Sequence, residues 1–198
     1  YQKIVKFRNL KELGDRVSPH SYRILKKDCL DLPDKVYTKR EVELSDEQKK
    51  AYGEMKANAM SVLKGQSMTA VNVLTQLIRL HQITCGHMKT DSSEIFDLKN
   101  NRLDELIQIL GETSGKVIIW ANYIHDIEAI EKMIKKEFGD ESCCTYYGAT
   151  ATEDRQKCIN KFQDPDSELR FFIGNTQTGG YGITLTEAST VIYYSNNY

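Results

Sequence analysis

Four short apolar runs in the second half of the chain, set between segments of helical periodicity, limit the fold more than any other feature. Lys116 to Ala121 reads KVIIWA between Gly115 and Asn122, too short for a helix and rich in β-branched residues, as a buried strand is. Cys143 to Tyr147, Arg170 to Gly174 and Thr190 to Tyr194 read the same way. Leu103, Leu106, Ile107 and Leu110 mark one helix. Ile127, Ile130, Met133, Ile134 and Phe138 mark another, stopped by Gly139, and residues 152–162 a third. A short helical turn is expected near Leu185 to Ala188. Strands and helices alternating at this length predict an α/β domain, a parallel sheet with right-handed crossovers and helices on both faces. Ligands of such sheets gather at the carboxyl ends of the strands, where the loops after Ala121, Tyr147 and Asn175 lie.

The first half has a different rhythm. Ser45 with Gln48 three residues on is a capping-box start, and Ala51, Tyr52, Met55 and Met60 continue an apolar helical face. A second helix spans roughly 69–84 through Val71, Leu74, Leu77 and Ile78, with Gly86 as its stop. Lys35 to Glu43, just after Pro33, reads as one extended segment, and Lys89 to Ser93 as a polar linker. The expected organisation is a mainly helical segment over residues 1–94 and an α/β domain over 95–198.

With 27 Lys and Arg against 28 Asp and Glu the net charge is −1, so no global positive field draws the surface to nucleic acid or membrane. Contacts to phosphates must be local. No stretch approaches the roughly 20 apolar residues that span a bilayer, and the polar start lacks the apolar core of a secretion signal. The expected setting is cytoplasmic or nucleoid-associated, neither secreted nor membrane-bound. The five cysteines are odd in number, without CxxC spacing, and read as reduced thiols. His81, Cys85 and His87 lie close in sequence but lack a fourth ligand, so packing is preferred to zinc and no metal site is expected.

Gly111, Gly115 and Lys116 imitate a phosphate loop. Only three residues separate the glycines, Val117 stands where Ser or Thr is needed, and the run precedes a strand instead of opening a helix. Asp46-Glu47 fails as a magnesium-binding acidic box because no buried strand precedes it. The informative stretch is Phe171 to Tyr194. Gly179, Gly180 and Gly182 follow a strand and offer either a tight turn or backbone amides for an anion, with Thr184 as a capping or phosphate-binding hydroxyl.

These blocks, taken in order, resemble the C-terminal RecA-like lobe of superfamily 2 helicases and translocases, most closely the Swi/Snf-like branch of P-loop NTPase-type motors. Leu32-Pro33-x-Lys35 with Leu44-Ser45-x-Glu47-Gln48-x-x-x-Tyr52 resembles the entry to that lobe, and Leu77-Ile78-Arg79 with Cys85-x-His87 its helical segment. Lys116 to Tyr123 is similar to motif IV, Gly148 with Arg155 and Phe162 to the next block, and Thr176 to Leu185 to motif V. Thr184 stands where the family usually has Asn. The sequence also stops before the arginine-bearing last motif.

The resemblance implies the motor lobe of an ATP-dependent DNA helicase or translocase. ATP and magnesium would be bound mainly by a first, N-terminal RecA-like lobe outside these residues. No catalytic residue is assigned here, and the chain alone is expected to be inactive. Implied nucleic-acid contacts are Thr178, Gly179, Gly180 and Thr184 in motif V, with Asn122 and Tyr123 either touching phosphate or lying in a solvated loop. Arg155 meets a phosphate or forms a structural salt bridge. Gln177, Gly180 and Gly182 are the implied link to the nucleotide side, with Thr176 either joining them or ending the strand, and Trp120 reads as core. Two other readings stay open: a non-catalytic nucleic-acid-binding or scaffold domain, and a lobe of an RNA helicase.

Overall fold

The structure, a computed structural model, describes residues 8–25, 29, 34–65, 70–90, 94–180 and 182–196, excepting the side chains of 61–65 and 70–72. Leu32 and Pro33 of the entry motif and the side chain of Val71 thus lie outside the described residues. The chain divides into two units, Tyr1–Arg40 and Glu41–Tyr198. The first contains α1 (Leu10–Val17), braced by an ion pair of Arg16 with Glu12 at 2.8 Å and followed by a 3₁₀ turn, Ser18–His20. The expected extended segment Lys35 to Glu43 carries no regular structure.

The second unit opens with two helices whose ends are tied together. In α2 (Asp46–Gly65) the Ser45 hydroxyl accepts from the Gln48 amide at 3.2 Å, and Gln48 Oε1 accepts from the Ser45 amide at 3.0 Å. This is the capping box read from the sequence. Gln48 is only 1% exposed, and its Nε2 donates to the carbonyls of Ile83 and Thr84 in the last turn of α3 (Ala70–Cys85). Gln48→Ala would strand those carbonyls and uncap α2. The expected loss is about 2–3 kcal/mol, read as a shift of the urea midpoint at unchanged slope.

Gly86 stops α3 at φ 95°, and a Cβ there would fall 2.5 Å from Asn100 Nδ2. The chain then enters an antiparallel hairpin, β1 (His87–Lys89) with β2 (Ile95–Asp97), so the expected polar linker begins as a strand. The helix α4 (Asn101–Glu112) follows, capped by the Asn100 side chain, which accepts from the Arg102 amide.

Four parallel strands form the sheet in the order β4-β5-β3-β6. They are β3 (Lys116–Trp120), β4 (Cys143–Tyr146), β5 (Phe171–Gly174) and β6 (Ala188–Tyr193). The two central strands are buried throughout, whereas edge strand β6 alternates, as burial on both faces or on one requires. One face packs Leu106 and Leu110 of α4 and Ile127, Ile130 and Ile134 of α5 (Ile124–Phe138) on Val117, Ile119, Phe171 and Ile173. The other packs Cys158 and Phe162 of α6 (Thr152–Gln163) on Ile118, Trp120 and Phe172. Tyr194 is buried and Tyr193 is 60% exposed, the alternation a strand imposes.

Three sequence expectations are corrected. The helical turn near Leu185 to Ala188 is a non-helical turn at Thr186 and Glu187, held by Gln163 of α6, and β6 starts at Ala188. The cysteines are not all reduced: packing α6 on β4 brings the Cα atoms of Cys144 and Cys158 to 5.9 Å, and the two form a disulfide. Finally, the glycine-rich loop begins as α7 (Thr176–Gly179), a single helical turn. Among the free thiols, burial pushes Cys85 up to about 12 and Cys143 up to about 11, while Cys29 is exposed. A disulfide reagent applied to the folded chain is therefore expected to titrate Cys29 quickly, and a fast phase that survives in Cys29→Ser would contradict this. No helix among the described residues is long and apolar enough to cross a membrane.

Candidate nucleic-acid interface

The parallel strands deliver four chain segments to one edge of the sheet: Asn122 and Tyr123 after β3, Gly148 after β4, Asn175 to Thr184 after β5, and Ser195 after β6. Their backbones are joined by side chains. The Asn122 amide donates to Ser195 Oγ at 2.8 Å, and Ser195 Oγ donates to Asp126 Oδ2 at 2.9 Å. Asn175 Nδ2 donates to the Asn122 carbonyl at 2.7 Å, while Asn175 Oδ1 accepts from the Gln177 amide at 2.8 Å and so caps α7. Asn175, Asp126 and Ser195 therefore hold the edge together, and sequence reading singled out none of them.

The glycine loop sits on Trp120. A Cβ at Gly174 would fall 2.7 Å from Trp120 Cζ3, and one at Gly179 would fall 2.9 Å from Cη2. Trp120 itself is 9% exposed and edge-on to Phe172, so it is core, as its strand position implied. The amides of Thr178 and Gly179 donate to the Asn175 carbonyl, and that of Gly180 to the Thr176 carbonyl. These amides close the helical turn instead of standing open for an anion, and Gly179 is buried. At Gly180 a Cβ would collide with the Thr176 carbonyl oxygen. Of the residues expected here, Gln177, Gly180, Gly182 and Thr184 are exposed and Thr176 and Thr178 half-buried, and these offer surface to a ligand.

The Tyr123 hydroxyl lies 2.8 Å from His81 Nδ1 on α3. Burial, and then the nearby Arg102 cation, hold the His81 pKa below its ordinary value. Arg155 forms no salt bridge among the described residues. Its Nη2 donates to the carbonyls of Tyr147 and Gly148 at 3.0 and 2.9 Å, and its guanidinium lies over the Tyr146 ring. It fixes the loop after β4 by hydrogen bonding to backbone, which needs no acidic partner.

The decoy motifs also find structural uses. The Lys116 ammonium donates to the carbonyls of Phe162, at 2.8 Å, and Asp164 at the carboxyl end of α6, where a cation complements the helix dipole. Arg170 caps α4 likewise, through the carbonyls of Leu110 and Thr113. Glu47 Oε2 accepts from the Lys99 amide. Neither Lys116 nor Glu47 is placed to cradle ATP phosphates or magnesium, so nucleotide chemistry is not routed through them.

The parallel sheet with helices on both faces and loops at the carboxyl ends of its strands is a RecA-like α/β lobe. Residues 98–198 match the helicase conserved C-terminal domain, and the chain belongs to that family. It is 29% identical over 218 residues to a CHD3-type chromatin-remodeling factor, CHR7, of Arabidopsis thaliana, covering all of this chain and 18% of that protein. It is 27% identical to an uncharacterised ATP-dependent helicase of Mycoplasma genitalium, covering 94% of this chain and again 18% of the relative. In structure it is similar to the SWI2/SNF2 ATPase core domain of Sulfolobus solfataricus, with a TM-score of 0.66 and 25% identity over 94% of this chain and 40% of that one. The C-terminal domain of a SWI2/SNF2 ATPase from the same organism aligns with a TM-score of 0.62 at 22% identity, covering 77% of this chain and 68% of that one. The chain thus spans less than a fifth of the length of the two sequence relatives named.

Proposed function

We propose that residues 41–198 form the second motor lobe of an ATP-driven translocase that moves along DNA. The observation that carries this reading is the bonded edge: the loops after β3 and β5 and the segment after β6 are joined through Asn122, Asn175 and Ser195. A pull on Gln177 to Thr184 by a tracked strand is thereby transmitted to the ends of the central strands. The exposed groups there are backbone, hydroxyl and amide, which hold a phosphodiester without reading its bases. ATP and magnesium belong mainly to a first lobe of the same protein, and the interior of the cell is the setting. The chain alone then has no turnover.

The test is ATP hydrolysis by the whole protein with no nucleic acid, duplex DNA, single-stranded DNA or RNA. Stimulation by duplex DNA is expected. Preferential stimulation by RNA would make it an RNA helicase lobe, and no turnover under any condition would leave a binding or scaffold domain.

A further inference from the structure

We propose that His87, His125 and Asp126 bind one divalent transition-metal ion, with zinc best suited to the donors. This does not depend on the proposed motor function. His87 opens β1, and His125 and Asp126 lie in the first turn of α5, so the group bridges the hairpin and the sheet's helical layer. One donor atom from each lies within 4.8 Å of the others.

Two buried atoms point to a ligand. His87 and Asp126 are each 2% exposed, and His87 Nδ1 stands 3.3 Å from Asp126 Oδ1, yet neither atom makes a hydrogen bond. Unmet polar atoms at such depth are costly. Zinc binds imidazole nitrogen and carboxylate oxygen at about 2.0–2.1 Å, so neighbouring donors of a tetrahedral site lie about 3.3 Å apart. An ion between the two atoms fits that gap, whereas their alignment makes no hydrogen bond. The ring centroids of His87 and His125 are 4.6 Å apart, so the two imidazoles lie side by side next to the Asp126 carboxylate.

The surroundings have the form of an outer coordination layer. His125 Nε2 meets Asp97 Oδ1 at 2.7 Å, which orients the ring and leaves Nδ1 for the metal. Asp126 Oδ2 accepts from Ser195, leaving Oδ1 for the metal. Cys85 is not among the donors: its Sγ accepts from Arg102 Nη1 at 3.4 Å and lies 3.9 Å from His81 Nε2. The group of His81, Cys85 and His87 weighed in the sequence therefore splits. His81 goes to Tyr123, and His87 joins two residues that sequence spacing had not linked to it. A fourth position is left for water, and the ion would pin β1 to α5 and, through Ser195, to the end of β6.

The full chain, stripped with a chelator, is titrated with Zn²⁺ by calorimetry in a Cys29→Ser background and then with Co²⁺ followed by visible absorption. One equivalent should bind, and the Co²⁺ spectrum should lack a thiolate charge-transfer band. His125→Asn, at a partly exposed position that tolerates change, should weaken binding more than about 100-fold, and Ser195→Ala about tenfold. Zn²⁺ should raise the melting temperature of the parent chain and leave that of His125→Asn unmoved. Absence of saturable binding, or binding that survives His125→Asn, would overturn the proposal and leave His87 and Asp126 as a buried ion pair.

Discussion

Trp120→Ala is expected to destabilise the second unit by about 3–5 kcal/mol, the usual cost of emptying a buried aromatic site. The indole contacts Phe172 and lies under the Cα atoms of Gly174 and Gly179, so its loss opens a void beneath the loop after β5. Side chains cannot fill that void from the loop, because both facing residues are glycine. Trp120 is also the sole tryptophan, and its emission reports the same region during unfolding of the parent chain. Denaturation of Trp120→Ala followed by circular dichroism measures the loss. A shift in the midpoint worth less than about 1 kcal/mol would show that the loop does not rest on the indole.

Asn175→Ala is the second large effect, and it falls on activity more than on folding. The substitution removes the cap of α7, costing about 1–2 kcal/mol, and also the bond from Nδ2 to the Asn122 carbonyl. With both bonds gone, the exposed residues Gln177, Gly180, Gly182 and Thr184 lose their register against the end of β3. Misplacement of about 1 Å is enough to cost roughly 100-fold in a positioned reaction. DNA-stimulated kcat of the whole protein should therefore fall by about that factor, with basal turnover little changed. Asn175→Asp keeps the cap acceptor and loses the donor, so it separates the two contributions. An unaltered kcat in both variants would mean that the bonded edge transmits nothing.

What was legible in the sequence was local. Ser45 and Gln48 lie three residues apart and formed the expected box; Gly86 and Gly139 stopped their helices; KVIIWA became the central strand. The order of blocks was enough to place the fold. Whatever depended on residues far apart in the chain was not legible. The Asn122 and Ser195 pair spans 73 residues, Ser195 and Asp126 span 69, and Asn175 and Asn122 span 53. The hairpin partner of residues 87–89 and the nearness of Cys144 to Cys158 are likewise products of packing. Arg155 shows the same limit, because its residue type suggested an ionic partner while the fold offered two carbonyls. Gly179 shows another: close approach was anticipated, but the approaching group is Trp120.

The central claim is that the turn from Gln177 to Thr184 couples a tracked strand to ATP turnover. The direct test compares Gly180→Val with the parent in the whole protein, by ATPase rate with and without duplex DNA and by ATP binding. A side chain at Gly180 collides with the Thr176 carbonyl, so the turn must shift while Trp120 and the sheet stay packed. The account predicts that the parent is stimulated by DNA more than about tenfold, and that the variant binds ATP normally but loses the stimulation. Equal stimulation of the two proteins would contradict it.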